Sequence, residues 1–264
     1  MRSALWALVC VLLLGTGLQV GAAKSPKHGE VLWAKNTIRA TGSGAPSLKA
    51  ANVAVARLGA ERAAKLDALR NILEATKGVR VSTGKSVAHA LEGNQALEAK
   101  IEGWVKGFRV IDTRYYSDGG VDLVVEVEMD GVLFDAFLKG TKENKTDAHQ
   151  GKDPDLFTGL ILNAKGLGFE PALAPSVVSE SGEKLFDVSF VHQDVLAKSG
   201  VVAYADTLDK AQKDKRSGAR PLVIRALRTI SPASSDLVVP DKDVDKLKSL
   251  GSILAAGKVL VVID

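Results

Sequence analysis

Residues 56–73, ARLGAERAAKLDALRNIL, decide the fold of the first half of the chain. With their neighbours they predict a helix over 48–77, because apolar side chains recur there at the helical period. Ser47 is placed to cap its start and Gly78 to end it. The large side chains form one stripe among alanines: Val55, Leu58, Leu66, Leu69, Ile72 and Leu73. So many alanines let a neighbouring backbone approach closely, so we expect the helix to lie lengthwise on a sheet.

The segments on either side of this helix predict the sheet. Residues 31–40 have the composition of a strand that leads towards the helix. Residues 108–130 alternate apolar and polar side chains around Asp118-Gly119-Gly120, which is typical of a tight hairpin turn. A shorter helix is predicted over 94–104. Residues 24–138 are therefore expected to form an α+β domain, with the long alanine-rich helix packed on a small antiparallel sheet.

A polar segment, residues 139–155, separates this domain from the rest of the chain. Ala148 is its one apolar residue, and a segment that buries nothing is typical of a linker. Beyond it, apolar runs predict strands, with short surface helices at 206–215 and 241–250. Residues 156–264 are therefore expected to form a second, mostly-β α+β domain. The pattern leaves open whether this domain is an α+β sandwich or a barrel-like sheet.

The first 23 residues have the pattern of a cleaved signal peptide. Arg2 supplies a positive charge, residues 4–14 are apolar and uncharged, and small residues lead up to Ala23. The apolar run is short for a membrane span, which needs about 20 residues. We therefore expect export, cleavage after Ala23, no transmembrane segment in the mature protein, and a periplasmic or outer-membrane-associated location. Cys10, the single cysteine, would be removed, leaving no disulfide.

Composition and charge argue against a nucleic-acid partner. The 264 residues are 46% hydrophobic and 25% charged, which is ordinary for a globular protein. The net charge of +4 is mild. Basic residues do cluster at Lys210, Lys213, Lys215, Arg216, Arg220, Arg225 and Arg228. Acidic residues interrupt this cluster, and no stacking aromatic side chains accompany it, so it does not predict a polyanion site.

The residue types that carry nucleophilic or zinc chemistry are scattered. The four histidines lie far apart in the sequence: His28, His89, His149 and His192. With no cysteine left after cleavage, the sequence predicts no nucleophilic triad and no zinc site. Residues 241–245 carry alternating aspartates, but they lack the glycine and closing glutamate of a calcium loop. We interpret them as the start of a helix, where acidic side chains are favoured.

Two glycine pairs and one row of carboxylates are likewise interpreted as structural. Gly42-Ser43-Gly44 lacks the lysine and hydroxyl of a phosphate loop, so we interpret it as a strand-to-helix turn. We interpret Gly166-Leu167-Gly168 as an extended loop. Carboxylates recur on one face of the second hairpin strand: Asp122, Glu126, Glu128 and Asp130. A solvated sheet face accounts for them better than a glycosidase pair. The sequence therefore predicts no enzyme, no cofactor and no metal.

Three stretches resemble a bacterial envelope lipoprotein family that includes the flagellar protein FlgP and the N-terminal domain of FlgT. They are residues 40–46, ATGSGAP, residues 56–73, and the hairpin at 107–129, so the resemblance covers residues 31–135. Residues 158–175 are similar to a C-terminal extension of longer members. The resemblance implies a non-enzymatic envelope protein, in its best-known members a ring or disc around the flagellar rotor. Unlike those lipoproteins, this sequence has no lipobox cysteine, which argues against a lipid anchor.

Two classes of function follow from these patterns. The leading hypothesis is an exported structural or assembly protein of the cell envelope, which associates with itself or with other envelope proteins; its more specific form is a flagellum-associated ring or disc component. The alternative is a periplasmic binding or regulatory module, or a hydrolase, that acts on cell-wall polymer. A deep pocket with converging polar groups would favour the alternative.

Overall fold

The structure is a computed structural model that describes residues 28–129, 131–138 and 156–264. The predicted signal peptide, 1–23 with Cys10, and the predicted linker, 139–155, lie outside the described residues. Helices and several sheets are both present, which confirms the α+β class.

The N-terminal half begins with a hairpin where the sequence predicts a single strand over 31–40. Strands β1 (Gly29–Leu32) and β2 (Thr37–Gly44) run antiparallel and are joined by a short 3-10 helix, Trp33–Lys35. Asn36 ends that turn in the left-handed conformation, with φ of 53°, which asparagine tolerates better than most residues. Its side-chain amide donates to the Met129 carbonyl at 2.6 Å. The single-strand prediction was wrong because the turn carries no glycine or proline to mark it.

Helix α1 (Val53–Lys77) is the longest element and lies on this sheet, as predicted. It begins five residues later than the sequence predicts, because Asn52 rather than Ser47 is the cap and its side chain accepts from the Val55 amide at 2.9 Å. Its buried face begins with three alanines, Ala60, Ala64 and Ala68, and continues with Ile72 and Thr76.

Two glycines of β2 explain this close packing. A Cβ atom at Gly44 would collide with the backbone of Ala60 and Ala64, and one at Gly42 would collide with the backbone of Ala68. Gly42-Ser43-Gly44 therefore lies inside a strand beneath the helix, and its interpretation as a strand-to-helix turn was wrong.

The rest of the N-terminal half frames the sheet. In chain order the elements are β3 (Arg80–Ser82), β4 (Lys85–Ser86), α2 (Val87–Leu91), α3 (Gln95–Val105), β5 (Arg109–Tyr115), β6 (Val121–Glu128) and α4 (Gly131–Leu138). Strands β5 and β6 form the predicted hairpin, and Gly119 takes a φ of 88° in its turn. The antiparallel sheet has the order β1-β2-β6-β5, so β5 is an edge strand.

The C-terminal half contains two four-stranded sheets. Its strands are β7 (Gly159–Asn163), β8 (Ser176–Ser179), β9 (Lys184–Phe186), β10 (Ala203–Ala205), β11 (Pro221–Arg225), β12 (Arg228–Thr229), β13 (Asp236–Val239) and β14 (Val259–Val262). Its helices are α5 (Gln193–Ser199), α6 (Leu208–Lys213), α7 (Val244–Lys248) and α8 (Gly251–Ala255). One sheet is parallel throughout, with the order β10-β14-β7-β11, and the other is mixed, with the order β12-β13-β8-β9. Strands buried on both faces explain the continuous apolar runs of β7 and β14.

The two halves pack against each other through one continuous core. The carbonyls of Arg80 and Val81 in β3 accept from the amides of Leu173 and Ala174 at 2.9 and 2.8 Å. The rings of Trp33 and Tyr204 meet edge to face at 5.3 Å. A further contact between the halves joins α4 to α5, where the Phe134 ring of α4 lies against Gly200 in the loop after α5.

Candidate functional site

A groove lies between α1 and the edge strand β5, and we call it the α1–β5 groove. Its lining residues are Leu58, Glu61, Arg62, Lys65, Val110, Thr113, Tyr115 and Leu123, and its volume is about 380 Å³. It exists because the alanine face of α1 lies over β2 and β6, so that α1 reaches β5 only through the side chains at its edge. The groove is thus a consequence of which face of α1 the sheet buries.

Large apolar side chains of α1 are exposed along this groove. Leu58 is 54% exposed and Leu66 is 69% exposed, and Val55 is also exposed. Within the predicted leucine stripe only Ile72 is fully buried. On the other side, Val110, Ile111 and Tyr115 of β5 are exposed as well. A contiguous exposed apolar surface of this kind is typical of an interaction site.

A second hollow of about 300 Å³ extends the same surface towards α3. Leu66, Leu69 and Leu73 of α1 form one wall, and Val105 and the stem of Lys106 form the other. Between the two hollows, the Lys65 ammonium group lies 6.0 Å from the centre of the Phe108 ring. The apolar surface therefore follows α1 over several turns.

The rim of the α1–β5 groove is mainly basic. Arg57, Arg62 and Lys65 lie along it, and Glu61 is the acidic group among them. The Arg57 guanidinium is 5.6 Å from the centre of the Tyr115 ring, a cation–π contact. A hydrogen bond to Glu61, together with the charge of that carboxylate, raises the pKa of the Tyr115 hydroxyl above its ordinary value of 10.0. Tyr115 therefore stays neutral at physiological pH.

The outer edge of β5 carries backbone groups that no strand pairs with in the part of the chain that the structure describes. The Arg114 guanidinium contacts the Asp112 carboxylate at 3.0 Å, and both side chains are well exposed, at 65% and 47%. A bulge interrupts the β5–β6 ladder between Val110 and Asp112. Thr113 and Tyr115 face the α1 side of the sheet, since they pair with Leu123 and Val121, whereas Asp112 and Arg114 face the opposite side.

The carboxylates of β6 are less solvated than the sequence suggests. Glu126 is only 8% exposed and lies between Arg39, at 2.6 Å, and Arg109, at 3.6 Å. Glu128 also contacts Arg109, at 3.2 Å, and Asp122 accepts from the Tyr116 hydroxyl at 2.7 Å. The interpretation of this face as solvated was wrong for Glu126, because arginines of both neighbouring strands cover it. Asp130 lies outside the described residues.

Arg216, which the sequence places in a basic cluster, hydrogen-bonds to backbone carbonyls instead of facing solvent. Its guanidinium donates to the carbonyls of Ser199, Gly200, Val201 and Gly257 at 2.5–3.0 Å. Burial lowers the pKa of Arg216 to about 10, so it remains charged at neutral pH. It fixes the loop after α5, and Gly200 of that loop contacts the Phe134 ring across the boundary between the halves.

Tyr204 has a comparable structural role. It is buried, which raises the pKa of its hydroxyl. That hydroxyl donates to the Ala172 carbonyl at 2.6 Å and accepts from the Ala172 amide at 3.0 Å. The buried side chains of Arg216 and Tyr204 therefore both support the fold.

The remaining predicted positions take ordinary structural places. The loop at Gly166-Leu167-Gly168 is held by the Asp264 carboxylate, which accepts from the Gly166 amide at 3.0 Å. The His89 ring bonds Ser86 at 2.9 Å beside the start of α2, and His192 is the residue before α5. Within residues 28–129, 131–138 and 156–264, no three His, Cys, Asp or Glu side chains are grouped to hold a metal ion. Of the helices described, none combines the length and the apolarity needed to cross a membrane.

Comparison with known proteins finds a relative for the C-terminal half. Residues 159–264 match the family described as Treponema pallidum Tp0624, second domain. The match covers about two fifths of the chain and begins at the first residue of β7. No curated protein matches the chain. The C-terminal half is therefore similar to a bacterial domain, and the match does not extend to the α1–β5 groove.

Sequence reasoning missed the α1–β5 groove, although the sequence held a signal for it. Ala60, Ala64 and Ala68 recur every four residues, and Gly42 and Gly44 recur every two residues on the strand below. Small residues at matching intervals on a helix and a strand indicate close contact, and this contact leaves Leu58 and Leu66 of the helix exposed.

Proposed function

We propose that the chain is an exported, non-enzymatic structural or assembly protein of the bacterial cell envelope. The observation that carries this proposal is the exposed apolar surface of α1 and β5. The described residues otherwise bury a well-formed core, so this surface is best explained by a protein that docks on it. The more specific form of the proposal is a ring or disc component associated with the flagellum.

Three further observations support the proposal. Residues 1–23 have the signal-peptide pattern, which accounts for export to the periplasm or the outer membrane. Residues 31–135 resemble the family of FlgP and the FlgT N-terminal domain, which supplies the structural role and the flagellar form. The similarity of residues 159–264 to a bacterial domain supports a bacterial source.

Cell fractionation tests the export step. The full chain with a C-terminal tag is expected in the periplasmic or outer-membrane fraction of its host. The matched control replaces Leu12, Leu13 and Leu14 with Asp, which destroys the apolar run, and is expected to stay in the cytoplasm. A full chain that remains cytoplasmic beside a cytoplasmic marker enzyme would overturn the proposal.

Deletion of the gene tests the flagellar form separately. Loss of swimming, with a ring or disc missing from images of the motor, is expected. Normal swimming with an unaltered motor would overturn the flagellar form while leaving the envelope role to the fractionation experiment.

A further inference from the structure

The outer edge of β5 is the feature that the proposed function leaves without an assigned partner. Among the described residues no strand pairs with its backbone donors and acceptors, and such an edge is a template for a further strand. The charged side chains of β5 restrict which strand can pair with this edge, because an incoming strand must place opposite charges against them. Asp112 and Arg114 lie on one face, with Thr113 between them on the other.

We propose that β5 of a second copy of this chain pairs antiparallel with β5, about a two-fold axis through Thr113. This inference deepens the proposed assembly role and rests on it, because it names the partner and the surface. The two sheets join into one sheet of eight strands, with both α1 helices on the same face.

The charges on β5 select this register. In a two-fold antiparallel pair, facing residues must lie on the same side of the sheet, so the axis passes through a residue rather than between two. With Thr113 on the axis, Asp112 of each copy faces Arg114 of the other, which makes two cross-strand pairs of opposite charge. An axis through Asp112 would instead bring two carboxylates together, and an axis through Arg114 would bring two guanidinium groups together.

The apolar side chains of the edge agree with the same register. Ile111, which lies in the bulge between Val110 and Asp112, and Tyr115 flank the axis at the two ends of the paired stretch. Both residues are exposed in the single chain. Because Thr113 and Tyr115 face α1, pairing also brings the two α1–β5 grooves side by side. The bulge between Val110 and Asp112 ends the regular ladder, so the paired stretch is short and other strands fit it poorly.

Charge reversal tests the pairing of Asp112 with Arg114. Sedimentation of the purified protein is expected to show a concentration-dependent dimer. Asp112→Arg and Arg114→Asp should each weaken it by about tenfold in Kd, because each turns two attractive pairs into two repulsive ones. The double variant D112R/R114D exchanges the charges and should restore the dimer. Glu92→Arg, the same charge change at an exposed site after α2, is the matched control and should leave it unchanged.

Cysteine substitution tests the axis itself. In a Cys10→Ser background, Thr113→Cys places two thiols opposite each other, with Cα atoms about 4.5–5.5 Å apart, within disulfide range. Oxidation with diamide is therefore expected to give a covalent dimer. In Asp112→Cys the two thiols are diagonal neighbours, about 7–8 Å apart, and should cross-link poorly.

The results that overturn the interface differ from those that overturn the proposed function. The proposed interface is wrong if the protein stays monomeric at all concentrations, or if neither charge reversal weakens the dimer. Equal cross-linking of the two cysteine variants would contradict the proposed register. Neither result changes where the protein is found in the cell, which the fractionation experiment measures independently.

Discussion

Gly44→Ala should destabilise the protein strongly, although it adds only one methyl group. The new Cβ would collide with the carbonyl oxygen of Ala60 and lie 2.6 Å from the Ala64 amide nitrogen. Both groups belong to the backbone of α1, so no side-chain rotation can relieve the contact. Atoms in van der Waals contact lie about 3.5–4 Å apart, so α1 would have to move away from β2 by ~1 Å or more.

The size of this effect follows from the overpacking. Inserting a methyl group into a well-packed core costs typically 1–3 kcal/mol, and a rigid backbone neighbour places this case at about 3 kcal/mol or more. With a urea m value of about 2–3 kcal/mol/M, the unfolding midpoint should fall by ~1 M. Circular dichroism at increasing urea concentration measures that midpoint.

Gly59→Ala is the matched control for this substitution. Gly59 lies in the exposed part of α1, and a Cβ there would have no atom within 4 Å. The same chemical change should therefore raise the free energy of unfolding by about 0.5–1 kcal/mol, because alanine is the better helix former. Equal midpoints for the two variants, or an unchanged midpoint for Gly44→Ala, would refute the argument that α1 packs on β2 through glycine and alanine.

Three further substitutions test separate parts of the structure. Leu66→Ser should change the free energy of unfolding by less than about 0.5 kcal/mol, whereas Ile72→Ala should lower it by about 2–5 kcal/mol. Urea titration of both variants shows which face of α1 is buried. Arg216→Met should cost about 3 kcal/mol, because four carbonyls lose a charged donor, and Arg216→Lys should recover only part of it in thermal unfolding. Burial alone would raise the pKa of Asp187, but hydrogen bonds from Ser189 and Lys184 outweigh it and lower the pKa below 3.8. This carboxylate therefore stabilises the fold above its unfolded pKa. It loses that contribution as the pH falls through the lowered pKa. Asp187→Asn should therefore flatten the acid side of the stability–pH curve, and an acid side as steep as the parent's would count against this account.

The elements that the sequence predicted correctly are those with strong local signals. The existence of α1 and its end at Lys77 follow from its helical period and Gly78, and the β5–β6 hairpin follows from alternation around Asp118-Gly119-Gly120. These signals act between residues that are close in the chain. The signal peptide, the linker and the domain limits stay predictions.

The face of α1 that the sheet buries could not be read from hydrophobicity. Leucines dominate any measure of apolar character, yet the sheet buries the alanines, because Gly42 and Gly44 let the backbones come closer than leucine side chains permit. That choice depends on residues more than fifteen positions apart and on their matching spacing. The α1–β5 groove depends on the same long-range match, so local patterns could not reveal it. Arg216 shows the same limit, since its four carbonyl partners belong to two segments that are far apart in the sequence, residues 199–201 and Gly257.

The position of β14 within its sheet has a consequence for the order of folding. Residues 259–262 lie between β10 and β7, so the parallel sheet has a gap at its middle until that strand is in place. During synthesis, residues 159–258 emerge first and hold two uncompleted sheet edges that nothing else in this half can cover. Completion of this sheet therefore depends on contacts about 100 residues apart, and long-range contacts of this kind slow folding. A nascent chain that stays open until this strand arrives also stays accessible, for the whole of that interval, to any factor that handles unfolded protein.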